Sequence, residues 1–526
     1  MDVSSPRTEA SSMDPSSKLF CCRSVRRCIP LVYRQELYHI LCMTGPLVAS
    51  HILNYLLPFV ITMFCGRLGN SVLAGYGMAS ATINITAATG GGLALAADTL
   101  ISQTFGGKNL HRVGIILQRS VLILLIFCLP CWGLLINTQP LLLLLGQDPE
   151  VDMPLLYQFY SRVFFWLLYF SGSAAANTIS QVYICVFLYL YIRWKKLHVE
   201  TWGGWSCDSL QEWNGYMKLA IPSTMMLCFD WWIYEIGGFL AGMLGELDLA
   251  AQHAVNMLAV IGYMFPLGIQ GAACVRVGNA LGAGDTAGAI RTSKVSLTCA
   301  GLQTVFVFQI NVLKMQKCKC LNVFFCSVLK CVSMGILLGS GQQKIAAVIN
   351  FFGYYCIGLP TGTSLMFAAK LDVVGFWLGL LICTCVQSSF FIAVIFKLNW
   401  ERVTKEAVER AGKRKTPAMS TLDSLTARHI EVCLMTFTNG DEYMSVNSND
   451  QNEEPDVEEK PSVLLSTAQL ILRRGLTTLA ALLILAVGIT VHLTVPLPEV
   501  SVRANTTLDS NFTTPSSLIH STSVSI

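Results

Sequence analysis

What most constrains this chain is a succession of apolar stretches, each near the roughly 20 residues an α-helix needs to cross a bilayer. They fall at about 37–60, 70–97, 113–137, 155–193, 216–243, 247–275, 295–313, 321–339, 345–369, 373–396 and 476–497. Composition agrees. Only 13% of the 526 residues are charged, against about 25% in soluble proteins, and the mean hydropathy is +0.54. The chain reads as an all-α polytopic membrane protein.

Basic residues gather between the runs, and cytoplasmic loops are the ones enriched in Lys and Arg. Arg23, Arg26, Arg27 and Arg34, then Lys108, His111 and Arg112, then Arg193, Lys195 and Lys196, then Arg276, Arg291 and Lys294 mark cytosolic segments, with the N-terminus cytosolic. This placement, with a net charge of only +4, fits membrane orientation and not a nucleic-acid partner. One run breaks the pattern. The loop Gln147–Asp152 has no basic residue and reads as outside, while Arg193–Lys196 reads as inside, so an odd number of crossings separates them. The 155–193 run is too short for three spans, which predicts one crossing plus a re-entrant or interfacial remainder. A second irregularity is the Cys-rich stretch 314–330, where alternation of sides puts Lys314, Lys317 and Lys319 outside, against the charge rule.

The expected organisation is a cytosolic tail 1–34, an incomplete first lobe 35–196, a cytosolic linker 197–215 and a second lobe 216–400. A basic, helix-forming segment runs from Lys397 to about Lys415 and then turns acidic, so 401–472 is expected to be a largely disordered cytosolic linker. A final span 473–497 and an extracellular tail 498–526 follow, the tail carrying sequons at Asn505 and Asn511. The 20 cysteines lie mostly singly in apolar stretches, where Cys acts as a small hydrophobe. None shows zinc-site spacing, and Cys21–Cys22 is a candidate S-palmitoylation site. No phosphate-binding loop or nucleophile motif is present, which argues against ATP-driven pumping and against an enzyme.

Self-comparison reveals a repeat. Pro46 pairs with Pro222, Gly66-Arg67-Leu68-Gly69 with Gly242-Met243-Leu244-Gly245, Leu73-Ala74 with Leu249-Ala250 and Gly106 with Gly282, all at an offset of 176 residues. Both copies start from basic segments and run in the same direction. Parallel repeats imply two pseudo-symmetric helical lobes around an axis along the membrane normal, with a cavity between them, the arrangement of many secondary transporters.

Chemistry concentrates in Cys228-Phe229-Asp230-Trp231-Trp232-Ile233-Tyr234-Glu235, which sets two carboxylates among large aromatics inside an apolar run. An ionised group at the bilayer centre costs about 2.5–3.5 kcal/mol and usually faces a cavity. Ring faces beside carboxylates suit an organic cation, at about 0.5–2 kcal/mol per cation–π contact. At 100° per residue, Asp230 and Glu235 diverge by about 140°, so they form no simple dyad, whereas Asp230 with Tyr234 and Trp231 with Glu235 each share a face. The alternative is a pair of carboxylates at helix ends or satisfied within the bundle. His51 and Asn84 are polar residues in mid-span, with the same two readings, and Asp98 reads as a helix-end residue.

Asp98–Gly106, Gly172–Gln181, Thr201–Trp205, Val275–Gly284 and Gly353-Tyr354-Tyr355 with Gly358-Leu359-Pro360 together closely resemble the vertebrate multidrug and toxin extrusion (MATE) transporters, over roughly 34–310 and 336–400. The resemblance implies two six-helix lobes, an additional C-terminal transmembrane helix, and exchange of protons for small organic cations, drugs and toxins across the plasma membrane; nothing in the sequence requires a cofactor or metal. It places Asp230 where a Glu is usual, Glu235 at a second acidic position, Trp231, Tyr234 and Tyr263 among cavity aromatics, and His51 where a Gln is usual. Met257 and Asn256 stand where the family carries a Glu and a Tyr, and a Glu expected within 310–335 has no counterpart. The 155–193 run joins the start of the family's fourth helix to its sixth. The rival expectation is therefore a truncated, non-transporting or modulatory member.

Overall fold

A computed structural model describes residues 30–137, 172–196, 198–314, 322–412 and 467–494. Twelve helices run through them: α1 (Leu31–Leu68), α2 (Asn70–Gly106), α3 (Leu110–Ile136), α4 (Gly172–Trp194), α5 (Trp213–Gly242), α6 (Glu246–Ala283), α7 (Thr286–Lys314), α8 (Asn322–Ser340), α9 (Gln343–Ala368), α10 (Asp372–Lys397), α11 (Trp400–Ala411) and α12 (Thr467–Thr494). Seven of the described helices are long and apolar enough to cross a membrane, and α5 and α7, of 30 and 29 residues, match them in length. Residues 155–171, Cys21–Cys22, the loop Gln147–Asp152, Lys317 and Lys319, 413–466 and the sequon-bearing tail lie outside the described residues.

The duplication is visible in backbone geometry. α1 gives way to α2 at Gly69 with φ +136°, and α5 to α6 just before Glu246 at Gly245 with φ +150°, values that L side chains rarely adopt. The next turns match too. Asn109 accepts from the Arg112 N–H (3.4 Å) at the start of α3, and Asp285 accepts from the Gly288 N–H (2.8 Å) at the start of α7, again 176 residues apart.

Reciprocal glycine contacts join the halves. A Cβ on Gly106 of α2 would collide with the Asn279 backbone of α6, and one on Gly282 of α6 with the Gln103 backbone of α2. Gly92 of α2 likewise meets Thr224 of α5, and Gly268 of α6 meets Val48 of α1. Each contact maps onto its partner by the 176-residue shift with the halves exchanged, which is the signature of a two-fold axis between parallel repeats. The seam thus consists of α1 and α2 against α5 and α6.

The second half is thickly packed. Its core runs through Ala273, Val277, Leu281, Val332, Leu337, Ala346, Phe391 and Ala407, all fully or nearly fully buried, on α6, α8, α9, α10 and α11. α9 passes through π-helical turns at Phe352–Gly358 and Ser364–Ala368, where Gly353 and Gly362 pack against Gln387 and Phe376 of α10. Among the described residues the first half is thinner. α4 exposes Tyr183, Phe187 and Tyr191, stacked in one row, along with the other side chains described between Val182 and Trp194 except Ile184. α3 packs instead on α12 through Gly133 and Gly488, and Asn137 donates to the Gly488 carbonyl at 2.8 Å.

Two boundaries need correction. The expected disordered linker at 401–472 starts with α11, whose Val403, Ala407 and Ala411 are buried across the ends of α2 and α6. Its sequence alternates these apolar positions at helical spacing with charged ones, so an amphipathic helix has a face to dock. Arg410 donates to Gln103 of α2 (2.8 Å), and burial pulls its guanidinium below the ordinary value against the opposing pull of Glu406. The last helix begins at Thr467, ahead of the expected 473, because Ala468–Leu472 extends its apolar run. At this same basic end Glu36 of α1 pairs with Arg276 of α6 and accepts from Thr292 of α7 (2.7 Å).

Candidate functional site

α5 stands on the seam, so its two carboxylates look in different directions. Glu235, 7% exposed, faces the first half, where it accepts from Asn84 Nδ2 of α2 at 2.9 Å. Trp232 Nε1 donates to the Ile85 carbonyl of the same helix at 3.2 Å, so α5 and α2 are held together at two successive positions. Tyr55 of α1 lies close enough to sense the Glu235 charge. Trp231 sits one turn before Glu235 on its face of α5, and His51 one turn before Tyr55 on α1; both are half-buried. Glu235 and Asn84 thus meet at the junction of the halves, with Trp231 and His51 one turn along the same helices.

Asp230, 4% exposed, faces the opposite way, into the second half. There it is ion-paired with Lys330 Nζ of α8 and accepts from the Tyr354 hydroxyl of α9 at 2.8 Å. Lys330 also donates to Tyr354 Oη at 2.8 Å, closing a three-membered polar cluster, and is itself 1% exposed. Tyr354 is placed by the π-helical turn at 352–358; such turns often occur at functional positions. Tyr234, on the Asp230 face, lies by Tyr354 and tilts toward the Trp377 ring at 6.1 Å. Tyr263 of α6 lies by Cys331, the residue after Lys330, whose thiol donates to Gln270 at 2.9 Å.

The MatE family model matches residues 46–187 and 222–313, two segments whose starts are separated by the repeat offset. Multidrug and toxin extrusion protein 1 of Danio rerio is 41% identical over 91% of this chain and 94% of its own length. The Homo sapiens protein of the same name is 38% identical over 89% and 95%. The chain belongs to the multidrug and toxin extrusion (MATE) family. It is accordingly a multi-pass membrane transporter and not an enzyme. Among solved structures, the eukaryotic MATE transporter AtDTX14 superposes with a TM-score of 0.64 at 23% identity, covering 72% of this chain and 99% of that one, which supports the MATE fold.

Within the MATE lobes the residues expected from sequence divide into two groups. Glu235 and Asn84 meet at the seam, with Trp231 and His51 on the neighbouring turns of α5 and α1, whereas Asp230, Tyr234 and Tyr263 belong to a buried cluster inside the second lobe. Met257 is 3% exposed and packed as an apolar core residue. Asp98 lies well inside α2 rather than at its end, its charge felt by Tyr216 of α5 and Cys274 of α6. Lys330 and Tyr55 were not among the expected site residues, and Tyr354 was named only within the Gly353-Tyr354-Tyr355 motif. Lys330 had a legible signal: a lysine within the apolar run 321–339 requires a counter-ion, and Asp230 is a carboxylate in another apolar run.

Two cavities complete the picture. One of about 960 Å³ opens at the basic end among Arg112, Arg119, Lys218, Lys397, Arg402 and Arg410. The other, about 1040 Å³ and largely apolar, lies between α3, α5 and α12. Neither of these two is lined by Asp230 or Glu235, and both carboxylates are buried, 4% and 7% exposed.

Proposed function

We propose that this MATE protein exports small organic cations, drugs and toxins across the plasma membrane in exchange for protons, with Glu235 as the carboxylate for which cation and proton compete. The observation that carries this reading is the Glu235–Asn84 hydrogen bond, because it joins the two lobes across the seam that alternating access must open. A proton on Glu235 removes the charge that holds a cation. A cation drawn to the carboxylate displaces the Asn84 donor and loosens the seam. Either ligand thus acts on the equilibrium between conformations through differential binding. Trp231, Tyr55 and His51 supply ring faces beside the charge, suited to a desolvated ammonium group. The names of the relatives, multidrug and toxin extrusion proteins, support the substrate class.

The test uses the full chain in proteoliposomes and radiolabelled tetraethylammonium, a cation that cannot lose its charge. Uptake driven by an outward-directed proton gradient, collapsed by a protonophore and lost in Glu235→Gln, is expected. Surface biotinylation of expressing cells should recover the protein. Gradient-independent accumulation, or none above empty liposomes, would overturn the exchange mechanism and favour a non-transporting member with a thin first lobe.

A further inference from the structure

Asp230 and Glu235 differ in what surrounds them, and the difference has a functional reading. Glu235 is bonded across the seam, so its partner moves away when the lobes separate. Asp230 is bonded by α8 and α9, two helices of its own lobe, and rigid-body movement of one lobe against the other leaves that cluster intact. Its partner is already a cation. Lys330 fills the place beside the carboxylate that a transported ammonium group would take, and Tyr354 bonds both members of the pair.

We propose that Lys330 is a built-in counter-ion that keeps Asp230 permanently occupied, so that transported cations are excluded from the second-lobe cluster and exchange proceeds at Glu235 alone. The inference rests on the proposed exchange only for its second half. A free cation reaching Asp230 would strand the ammonium of Lys330 in a buried setting, and breaking a buried pair costs a factor of about 10² to several times 10³ in the equilibrium constant. The tether adds to this. Lys330 is attached to α8, so it competes at an effective concentration that a dilute substrate does not reach. The tyrosines of the cluster, Tyr234, Tyr263 and Tyr354, then serve the internal pair instead of a drug.

Four purified full-length proteins decide the matter: the natural chain, Lys330→Met, Asp230→Asn, and the double variant, each checked for folding by size exclusion and compared by equilibrium binding and exchange of tetraethylammonium. Lys330→Met exposes the carboxylate and is expected to bind tetraethylammonium at least about tenfold tighter, a gain that disappears in the double variant. The double variant, neutral at both positions, is expected to exchange within about twofold of the natural chain. Unchanged affinity in a folded Lys330→Met, or a folded double variant as inactive as Glu235→Gln, would overturn the proposal. Should Lys330→Met not fold, exchange by the charge-neutral double variant settles it. If the natural chain itself shows no proton-linked exchange, the antiport reading fails, and the Lys330 assignment stands or falls on the binding measurements alone.

Discussion

At the scale of single residues, the seam is defined by Asn84 and Glu235. A hydrogen bond to an ionised acceptor contributes about 1.5–3 kcal/mol, and removing the donor leaves a buried carboxylate to bear its desolvation. Asn84→Leu is therefore expected to lower the thermal unfolding temperature in detergent by several degrees. Adding Glu235→Gln to it should recover part of the loss, because the stranded charge is then absent. Strictly additive effects of the two substitutions would show that the pair is not energetically coupled. Asp230 behaves differently under the same treatment. Its neutralisation strands Lys330, so Asp230→Asn alone should be more destabilising than its combination with Lys330→Met.

Among elements, the reciprocal glycines carry the architecture. Gly282→Ala would drive a methyl group into the Gln103 backbone, and overpacking of this kind costs about 1–3 kcal/mol where a flexible side chain cannot yield. Since the obstacle is backbone, α2 and α6 must separate, and lowered surface delivery and a lower unfolding temperature are expected. Gly238→Ala, with nothing within 4 Å of the added carbon, is the control and should behave as the natural protein. Similar loss in both variants would place the effect in helix flexibility instead of close approach. The repeat and its offset were legible because these glycines and prolines answer backbone demands that few other residues meet. The opposed facing of Asp230 and Glu235 was legible from helical periodicity alone. The Lys330 pairing was not, since it joins positions 100 residues apart on separate helices, and no local pattern encodes which buried charges meet. The helical character of α11 was legible between Lys397 and Lys415, but its docking was not, because its apolar face is short and follows the last long run, where a charged stretch reads as linker.

For the whole molecule, alternating access predicts that the basic end must part if the buried carboxylates are to meet the compartment on that side. α11 spans that end. It packs on α6, α7 and α8 of the second lobe and on α2 of the first, with Thr404 bonded to Thr286 at 2.8 Å and Arg410 to Gln103. Gly107, just past α2, would place a Cβ 3.0 Å from the Ala411 Cβ, close to the roughly 3.5–4.5 Å of a disulfide. Gly107→Cys with Ala411→Cys should therefore cross-link under mild oxidation and tie the first lobe to the strap. If the seam opens here during transport, the oxidised double variant is arrested while each single variant transports under the same oxidant, and a reductant restores the double variant. Full activity in the cross-linked state would mean that α11 travels with α2. The opening would then have to lie between α11 and the second lobe, with Thr404–Thr286 and Glu36–Arg276 as the contacts that break.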